Sequence, residues 1–247
     1  MSEDKKNIKR PTAAILIIGD EILSGRTLDT NSNYLAGVLT ANGISLMQIK
    51  IIPDDKSIII STVNELRTNH TYVFTSGGIG PTHDDVTAEA IATAFSVPLK
   101  IDSRAITLLA SHYPNGEADI NTARLRMCRI PEGADLILNP ISKAPGFSKG
   151  NVFVMAGVPT IFKAMVDSLA PKLTGGEPLL SISLRIDKGE GDIAEQLSKI
   201  AEKHQGVSIG SYPFSQNGNY GTMIVVRHTS KKVLEKLKDE LLTLTKK

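Results

Sequence analysis

A glycine-rich segment is the part of this sequence whose residue types and spacing could do chemistry. It runs from Thr75 to Asp85 and reads T-S-G-G-I-G-P-T-H-D-D. Three glycines within four positions let the backbone approach a ligand closely and leave N–H groups free to point at an anion. A helix predicted to begin just after the segment adds the positive end of its dipole. Phosphate is therefore the ligand that this segment favours.

The glycine pattern by itself leaves two interpretations open. The sequence contains no G-x-x-x-x-G-K-[ST] motif of a P-loop, and the segment lacks the last glycine of G-x-G-x-x-G. A glycine cluster before a helix is often a plain tight turn. Phosphate binding and a purely structural turn are both compatible with this pattern.

Two pairs of acidic residues adjoin predicted strand ends. Asp84 and Asp85 end the glycine-rich segment, and Asp20 and Glu21 follow the first predicted strand. In the structural interpretation, an aspartate before a helix caps it and complements its dipole. In the functional interpretation, one aspartate caps the helix while the other faces the anion, and Asp20 and Glu21 complete the site. A carboxylate beside a phosphate requires a cation, so Mg²⁺ or an amine-bearing ligand is implied.

Strands and helices predicted from the apolar pattern alternate over the first third of the chain. Residues 13–18 form a continuous apolar run, as in a strand buried on both faces, and residues 44–52 and 71–75 are further strands. N-cap residues at 29–31 and 54–55 begin the intervening helices. This order predicts a three-layer α/β/α domain with a mostly parallel sheet. Such sheets bind ligands at the carboxyl ends of their strands.

In the rest of this domain, the predicted strands and helices alternate less regularly. Residues 96–134 are expected to be mostly helical. Strands at 135–138 and 151–155 flank a turn at Lys143–Gly146, and Pro159 begins a helix because its missing N–H costs nothing there.

A linker predicted at residues 174–178 separates two domains. The α/β domain covers residues 11–173, and a small α+β appendage covers residues 178–247. The appendage is predicted to contain a strand at 179–186, a helix at 190–204, strands at 207–212 and 220–227, and a helix at 230–245.

Composition and charge narrow the classes of function. The 247 residues are 41% hydrophobic and 22% charged, as in ordinary globular proteins. The body of the chain is mildly acidic and has no Trp, so we expect no nucleic-acid partner. The single cysteine, Cys128, fits a reducing compartment. The first apolar run, residues 13–18, is too short for a signal peptide or a membrane span, so we expect a cytoplasmic protein without a membrane partner.

Several motifs, in the same order along the chain, resemble those of a known family. The segment Thr75–Thr87 resembles the T-G-G-x-G-x-x-x-x-D-x-T signature of the molybdopterin-binding MoaB/MogA/MoeA fold. Its double aspartate, with G-D-E-I-L-S-G from Gly19 and D-T-N from Asp29, is similar to the N-terminal branch of CinA. The resemblance covers about residues 12–172, with further matches at Pro53-Asp54, Ala144–Phe147 and Gly157–Pro159.

The resemblance implies two classes of ligand. In MogA and MoeA the fold binds the phosphate of the pterin dithiolene during molybdenum cofactor assembly. In CinA and FAD synthases, similar domains are implicated in metal-dependent cleavage of a dinucleotide pyrophosphate such as ADP-ribose or FAD. We therefore expect a protein that binds molybdopterin or a nucleotide, with a metal-dependent nucleotide pyrophosphatase as the alternative and a pure interaction protein third. A homo-oligomer, dimer or trimer, is also implied.

The resemblance and the loop chemistry together assign candidate site residues. The phosphate would be held by Ser76, Gly77, Gly78 and Gly80. The pterin or nucleotide would be contacted by Asn31, Asp54, Thr87 and Gly146. The catalytic residues of the hydrolytic alternative would be Asp20, Asp84 and Asp85. The ligands of Mg²⁺ or another divalent cation would be Asp20, Glu21 and Asp84.

Three departures from the family pattern limit what carries over. Ile161 stands where CinA-type proteins have Glu in P-G-V-P-x-E, and Ser76 departs from the T-G-G of the family signature. The sequence ends at Lys247, so we expect no nicotinamide-nucleotide amidase domain. The last part, including S-I-G-S-Y-P from Ser208, is similar to the region that follows the molybdopterin-binding-like domain of eukaryotic FAD synthases.

Overall fold

The apolar run near the start of the chain forms a strand buried on both faces, as predicted. Residues Ala13 to Ile18 are each at most 3% exposed. The computed structural model describes residues 10–204, 206–216 and 218–245. These divide into two compact units, one that ends at Gly176 and one that begins at Glu177. The described strands of the first unit are β1 (Thr12–Ile18), β2 (Ser45–Ile52), β3 (Tyr72–Ser76), β4 (Leu99–Ile101), β5 (Arg129–Pro131), β6 (Asp135–Ile137), β7 (Gly146–Lys149) and β8 (Val152–Met155).

Six of these strands form the central sheet in the order β2-β1-β3-β8-β7-β6. The strands β2, β1, β3 and β8 are parallel, whereas β7 and β6 continue the sheet in antiparallel pairing. The prediction of a mostly parallel sheet is confirmed. Because parallel strands point the same way, the segments that follow β1, β2, β3 and β8 all leave the sheet at one edge.

Helices cover both faces of the sheet, which completes the predicted three layers. Leu35 and Phe162 pack with Ile15 on one face, and Ile59 and Ile91 share the core of the other face with Leu16. Burial of each such side chain contributes about 1.5–3 kcal/mol. The helices of this unit are α1 (Asp20–Leu23), α2 (Asn31–Ala41), α3 (Lys56–Asn69), α4 (Thr87–Ala94), α5 (Ser103–Ala110), α6 (Thr122–Arg126) and α7 (Pro159–Leu169).

The prediction that residues 96–134 are mostly helical is wrong. Strands β4 and β5 pair antiparallel at the two ends of this region, with Lys100 opposite Ile130. Helices α5 and α6 are short and are separated by a single turn of 3₁₀ helix at Gly116–Asp119. Strands of three residues are too short to show an alternating pattern, and their pairing depends on contacts between residues far apart in sequence.

The turn predicted to end at Gly146 is shorter than expected. Gly146 is the first residue of β7, which pairs with β6 and β8. A Cβ atom on Gly146 would lie 2.3 Å from the carbonyl oxygen of Val154, so the strands leave no space for a side chain. Beyond β8, Pro159 is the first residue of α7, as predicted.

The second unit is a small α+β structure, as predicted. Its antiparallel sheet has the strand order β10-β11-β9. Ile186, Ile224 and Leu237 are among the apolar residues buried between this sheet and the helices. Its elements are β9 (Leu180–Ile186), α8 (Glu190–Lys203), β10 (Ser208–Gln216), β11 (Asn219–His228) and α9 (Lys231–Leu241). Among the described residues of the whole chain, no helix is both long and apolar enough to cross a membrane.

Candidate functional site

A pocket of about 490 Å³ lies at the edge where the parallel strands end. Ile18 from the end of β1 and Ala156 beyond β8 are among the residues that line it. It brings together seven of the residues that the sequence singled out, Glu21, Asp54, Gly77, Gly78, Gly80, Asp84 and Asp85. Five others, Asp20, Asn31, Ser76, Thr87 and Gly146, lie outside its lining. The loops that follow β1, β2, β3 and β8 thus contribute to one concave surface, where ligands of such sheets bind.

Two glycines of the loop after β3 have backbone conformations and surroundings that exclude a side chain. Gly77 has φ of 110°, and a Cβ atom there would lie 2.1 Å from the carbonyl oxygen of Ile18. Gly78 has φ of 68°, and its Cβ would lie 2.1 Å from Oγ1 of Thr87. Both conformations are left-handed and favour glycine. The backbone itself therefore forms this wall of the pocket.

Asp85 binds other residues of the loop between β3 and α4, residues 77–86, which we call the glycine loop. Its Oδ1 accepts from the backbone N–H of Gly80 at 2.6 Å, and its Oδ2 accepts from the N–H and the hydroxyl of Thr82 at 2.8 and 2.5 Å. Helix α4 begins at Thr87 after Val86, and no side chain caps it. The interpretation of Asp84 and Asp85 as helix caps is wrong, because the Asp85 carboxylate binds N–H groups of the loop instead.

Thr87 supports the loop from behind. Its side chain is fully buried, and its hydroxyl donates to the carbonyl oxygen of Gly77 at 3.1 Å. The same hydroxyl occupies the space where a side chain on Gly78 would lie. Thr87 therefore fixes the path of the loop, and its predicted contact with the ligand stays a prediction.

Asn31 connects three strand-end segments. Its backbone N–H donates to Oδ1 of Asp29 at 2.9 Å, which orders the start of α2. Its side-chain Nδ2 donates to Oγ of Ser76 at 2.9 Å and to the carbonyl oxygen of Gly157 at 2.7 Å. Asn31 and Ser76 are 5% and 2% exposed, and Oδ1 of Asn31 is buried without a partner among the described residues. This pair holds the ends of β3 and β8 together beside the pocket.

Acidic residues converge on one side of the pocket. The N–H of Asp20 donates to Oδ2 of Asp54 at 3.1 Å. Burial raises the pKa of Asp54, the hydrogen bond from Asp20 opposes this, and the negative charges of Glu21, Asp20 and Asp84 raise the pKa further. A cation bound there would be favoured by these charges. In the part of the chain that the structure describes, no three His, Cys, Asp or Glu side chains are arranged to hold a metal ion by themselves.

The loop between β6 and β7 supplies residues that the sequence analysis missed. Oδ1 of Asn139 accepts from the N–H groups of Ile141 and Ser142 at 3.0 and 3.2 Å, and Nδ2 donates to the Ala144 carbonyl at 3.0 Å. Asn139 is 3% exposed and lines the pocket with Ser142. An Asn-Pro pair after a strand favours this kind of turn, and that signal could have marked it.

The chain belongs to the molybdopterin-binding domain family. The family described as "Probable molybdopterin binding domain" matches residues 14–175, and the one described as "FAD synthase, middle domain" matches residues 178–247. These matches confirm the resemblance seen in the sequence motifs.

Named relatives fall into two groups. A probable FAD synthase of Caenorhabditis elegans is 33% identical over 92% of this chain and 48% of its own length. A CinA-like protein of Citrifermentans bemidjiense is 36% identical over 66% of this chain and 40% of its own length. The chain thus spans about half or less of these relatives. The solved structure of CinA from Thermoplasma acidophilum, described as of unknown function, has 32% identity and a TM-score of 0.61 over 66% of this chain and 97% of that chain.

Proposed function

We propose that this protein binds a phosphate-bearing pterin or nucleotide in the pocket beside the glycine loop. The observation that carries the proposal is the backbone wall formed by Gly77 and Gly78, where close approach to Ile18 and Thr87 leaves no room for side chains. Asp85 and Thr87 hold this wall in place before any ligand arrives. The N–H groups of Gly77 and Gly80 already donate to the Met155 carbonyl oxygen and to Asp85, so those of Gly78 and Ile79 would meet an anion in the pocket. Phosphate is the anion that both pterin cofactors and nucleotides carry.

The size and lining of the pocket suit a ligand with a flat polar ring. A pocket of about 490 Å³ lies within the range of small-molecule sites. Val158, Pro159 and Ile161 add apolar surface, and the Asn139 turn adds polar groups. Membership of the molybdopterin-binding family supports molybdopterin as one candidate, with a place in molybdenum cofactor metabolism, and the FAD synthase relatives support a nucleotide.

Calorimetric titration of the full chain with molybdopterin, AMP and inorganic phosphate tests this proposal. We expect binding of molybdopterin or AMP and its loss in Gly78→Ala. Gly116→Ala is the matched control, because Gly116 also has a positive φ, 61°, but has no atom within 4 Å of its added Cβ. Absence of binding for all three probes, or equal binding by Gly78→Ala and Gly116→Ala, would contradict the proposal.

A second candidate function is metal-dependent hydrolysis of a dinucleotide pyrophosphate. The observation that favours it is the convergence of Asp20, Glu21 and Asp84 on the half-buried Asp54. Mg²⁺ commonly binds one or two carboxylates together with substrate phosphates, so these side chains need not complete the coordination alone. Asp20, Glu21 and Asp84 would hold the ion, which would neutralise developing charge and lower the pKa of a bound water. A water would add to one phosphorus and the P–O–P bond would break, so that AMP and the second phosphomonoester (FMN from FAD, ribose 5-phosphate from ADP-ribose) leave and the proton of the water passes to solvent.

AMP release from FAD and ADP-ribose, with Mg²⁺, Mn²⁺ or Co²⁺, tests the hydrolytic candidate. We expect release that requires the metal and disappears in Asp84→Asn. Glu117→Gln is the control, because Glu117 is a carboxylate of the first unit outside the pocket lining. No AMP with any metal would reject hydrolysis of these substrates and leave the binding proposal in place.

The protein is further proposed to form a homo-oligomer, a dimer or a trimer. Met47, Ile49 and Ile51 are 60%, 51% and 39% exposed along β2, an edge strand of the sheet. Exposed apolar residues on an unpaired strand edge favour association. Light scattering coupled to size exclusion measures the mass directly, and a monomer at micromolar concentration would contradict this proposal.

A further inference from the structure

Asn139, in the turn between β6 and β7, has a side-chain amide whose orientation is fixed by the backbone. Its Oδ1 accepts from the N–H groups of Ile141 and Ser142 at 3.0 and 3.2 Å. One hydrogen of its Nδ2 is donated to the carbonyl oxygen of Ala144 at 3.0 Å. Because backbone N–H groups only donate and a carbonyl oxygen only accepts, these three partners determine which end of the amide is oxygen and which is nitrogen.

The hydroxyl of Ser142 is left with a hydrogen to donate. The second hydrogen of Asn139 Nδ2 is donated to Oγ of Ser142 at 2.6 Å, so this hydroxyl accepts from the amide. A serine hydroxyl that accepts in this way still carries its own hydrogen. In the described parts of the chain, no group accepts that hydrogen. Ser142 lines the pocket, so the hydrogen is available to a ligand there.

Other side-chain donors are scarce in this pocket. The described residues of its lining include no Lys, Arg or His, and the carboxylates among them only accept when ionised. Both Nδ2 hydrogens of Asn139 are used within the turn. The hydroxyl groups of this lining belong to Thr27 and Ser142. The N–H of Thr27 donates to the carbonyl oxygen of Glu21, which places Thr27 beside the acidic residues and leaves Ser142 as the side-chain donor away from them.

The strand order separates Ser142 from the glycine loop. The glycine loop follows β3, and β8 lies between β3 and β7 in the sheet. Neighbouring strands are about 4.8 Å apart, so the start of β7 lies about 10 Å from the end of β3. In a nucleotide or a pterin phosphate, several bonds separate the phosphate from the ring. A ligand whose phosphate lies at the glycine loop would therefore place its ring, rather than its phosphate, towards Ser142.

We propose that Ser142 determines which ring this site prefers, because its hydroxyl donates to a carbonyl oxygen of the heterocycle. An exocyclic amino group cannot replace that oxygen, since its lone pair is delocalised into the ring and the hydrogen of Ser142 would stay unpaired. The site thus prefers the phosphate ester of an oxo heterocycle to the same ester with an amino group. Asn139 acts through Ser142 and is a positioning residue. The inference rests on the proposed function, because the phosphate at the glycine loop places the ring.

Calorimetric titration of the full chain with IMP and AMP, in metal-free buffer, tests the inference. The two nucleotides share ribose and phosphate, but IMP has a ring carbonyl where AMP has an amino group. We expect IMP to bind about threefold to tenfold more tightly, which corresponds to one hydrogen bond between uncharged groups. Ser142→Ala should remove this preference by weakening the binding of IMP. Ser142→Cys should keep only a small part of the preference, because a thiol is a weak donor.

Ser168→Ala is the matched control. The hydroxyl of Ser168 donates to the carbonyl oxygen of Leu138 at 3.1 Å, next to Asn139 in sequence, but Ser168 is not part of the pocket lining. This variant removes a hydroxyl that contacts the same segment from outside the pocket, and it should keep the preference for IMP. Circular dichroism checks that each variant is folded.

The outcomes separate this inference from the proposed function. Equal affinities of the unmodified chain for IMP and AMP would overturn the role of Ser142 while the glycine-loop site stands. A preference that survives in Ser142→Ala, or that is lost equally in Ser168→Ala, would overturn it too. Binding of inorganic phosphate without binding of either nucleotide would also count against Ser142 alone. Absence of binding by IMP, AMP and inorganic phosphate would overturn both proposals.

Discussion

The carboxylate of Asp54 accepts a hydrogen bond from the backbone N–H of Asp20, with 3.1 Å between Oδ2 and N. This contact joins the segment after β2 to the first turn of α1. It also holds Asp54 close to the charges of Glu21, Asp20 and Asp84, which, after burial, are the causes that raise its pKa. The acidic side of the pocket is therefore built at a cost in stability that a bound cation would offset.

We expect the contribution of Asp54 to the stability of the first unit to be lost as pH rises through the carboxyl range. Because the pKa of Asp54 is higher in the folded state, the folded protein binds its proton more tightly, and the free energy of unfolding falls between the unfolded and folded pKa values. Asp54→Asn removes the charge, and its amide oxygen can still accept from Asp20. This variant should raise the unfolding midpoint of the unit at neutral pH and change it less in acid, where the carboxyl of Asp54 is protonated.

Asp55 provides a control, because its pKa is shifted in the opposite direction to that of Asp54. Hydrogen bonds from Ser57 and Ile58 lower the pKa of Asp55, so its contribution to stability is present at neutral pH and is lost as pH falls. Thermal denaturation from about pH 4 to about pH 7 compares the two variants. If Asp54→Asn and Asp55→Asn both lower the midpoint at neutral pH, the electrostatic interpretation of Asp54 is wrong.

Gly77→Ala should destabilise the first unit by about 2 kcal/mol or more. The added Cβ atom would lie 2.1 Å from the carbonyl oxygen of Ile18, and the backbone at Gly77 has a φ of 110°. Gly25→Ala separates the two causes, because Gly25 has φ of 72° with nothing within 4 Å of an added Cβ. Urea denaturation followed by circular dichroism measures both. Equal destabilisation of the two variants would show that the close approach to Ile18 has no energetic effect.

Cys128 should be unreactive in the folded protein. Burial, followed by the charge of Asp102, raises the pKa of this thiol to about 11, and the side chain is fully buried. The thiolate is the nucleophile, so little of the reactive form exists at mildly alkaline pH. Iodoacetamide labelling, measured by mass spectrometry, should occur only after unfolding in urea. Labelling of the native chain at the rate of a free thiol would show that the region between β4 and β5 opens readily.

Local rules predicted the elements that depend on neighbours in sequence. The apolar run of β1 and the aspartate that begins α3 are of this kind, because Asp55 accepts from Ser57 and Ile58 within one turn. The position of the glycine loop followed from the rule for parallel sheets. The pairing of β4 with β5 could not be predicted, since it joins residues about thirty positions apart.

The chemical roles of individual site residues were harder to predict. Asp85 resembles a helix cap in sequence, yet the loop folds back so that Gly80 and Thr82 reach its carboxylate. The contact of Asn31 with the ligand stays a prediction, and its side chain bridges Ser76 and Gly157, which come from distant parts of the chain. In each case the partner depends on the path of a loop, which residue types alone do not determine.

The two adjacent aspartates of the glycine loop should respond in opposite ways to removal of their charge. Asp85→Asn replaces one accepting oxygen by an NH₂ group that faces the N–H donors of Gly80 or Thr82. The loop should loosen, and binding of inorganic phosphate should weaken by about tenfold or more. Asp84 lines the pocket with an exposed carboxylate. Asp84→Asn should bind phosphate as well as the unmodified chain or better in metal-free buffer, because a repulsive charge is removed.

Calorimetry of both variants with inorganic phosphate measures this difference in affinity. The same titrations with added Mg²⁺ test whether Asp84 helps to hold a metal ion. If Asp84 helps to hold a metal ion beside the phosphate, Mg²⁺ should strengthen phosphate binding in the unmodified chain and should have little effect in Asp84→Asn. Phosphate affinity that is unchanged in Asp85→Asn would mean that the bonds from Gly80 and Thr82 do not organise the site. The wall formed by Gly77 and Gly78 would then have to keep its shape through Thr87 alone.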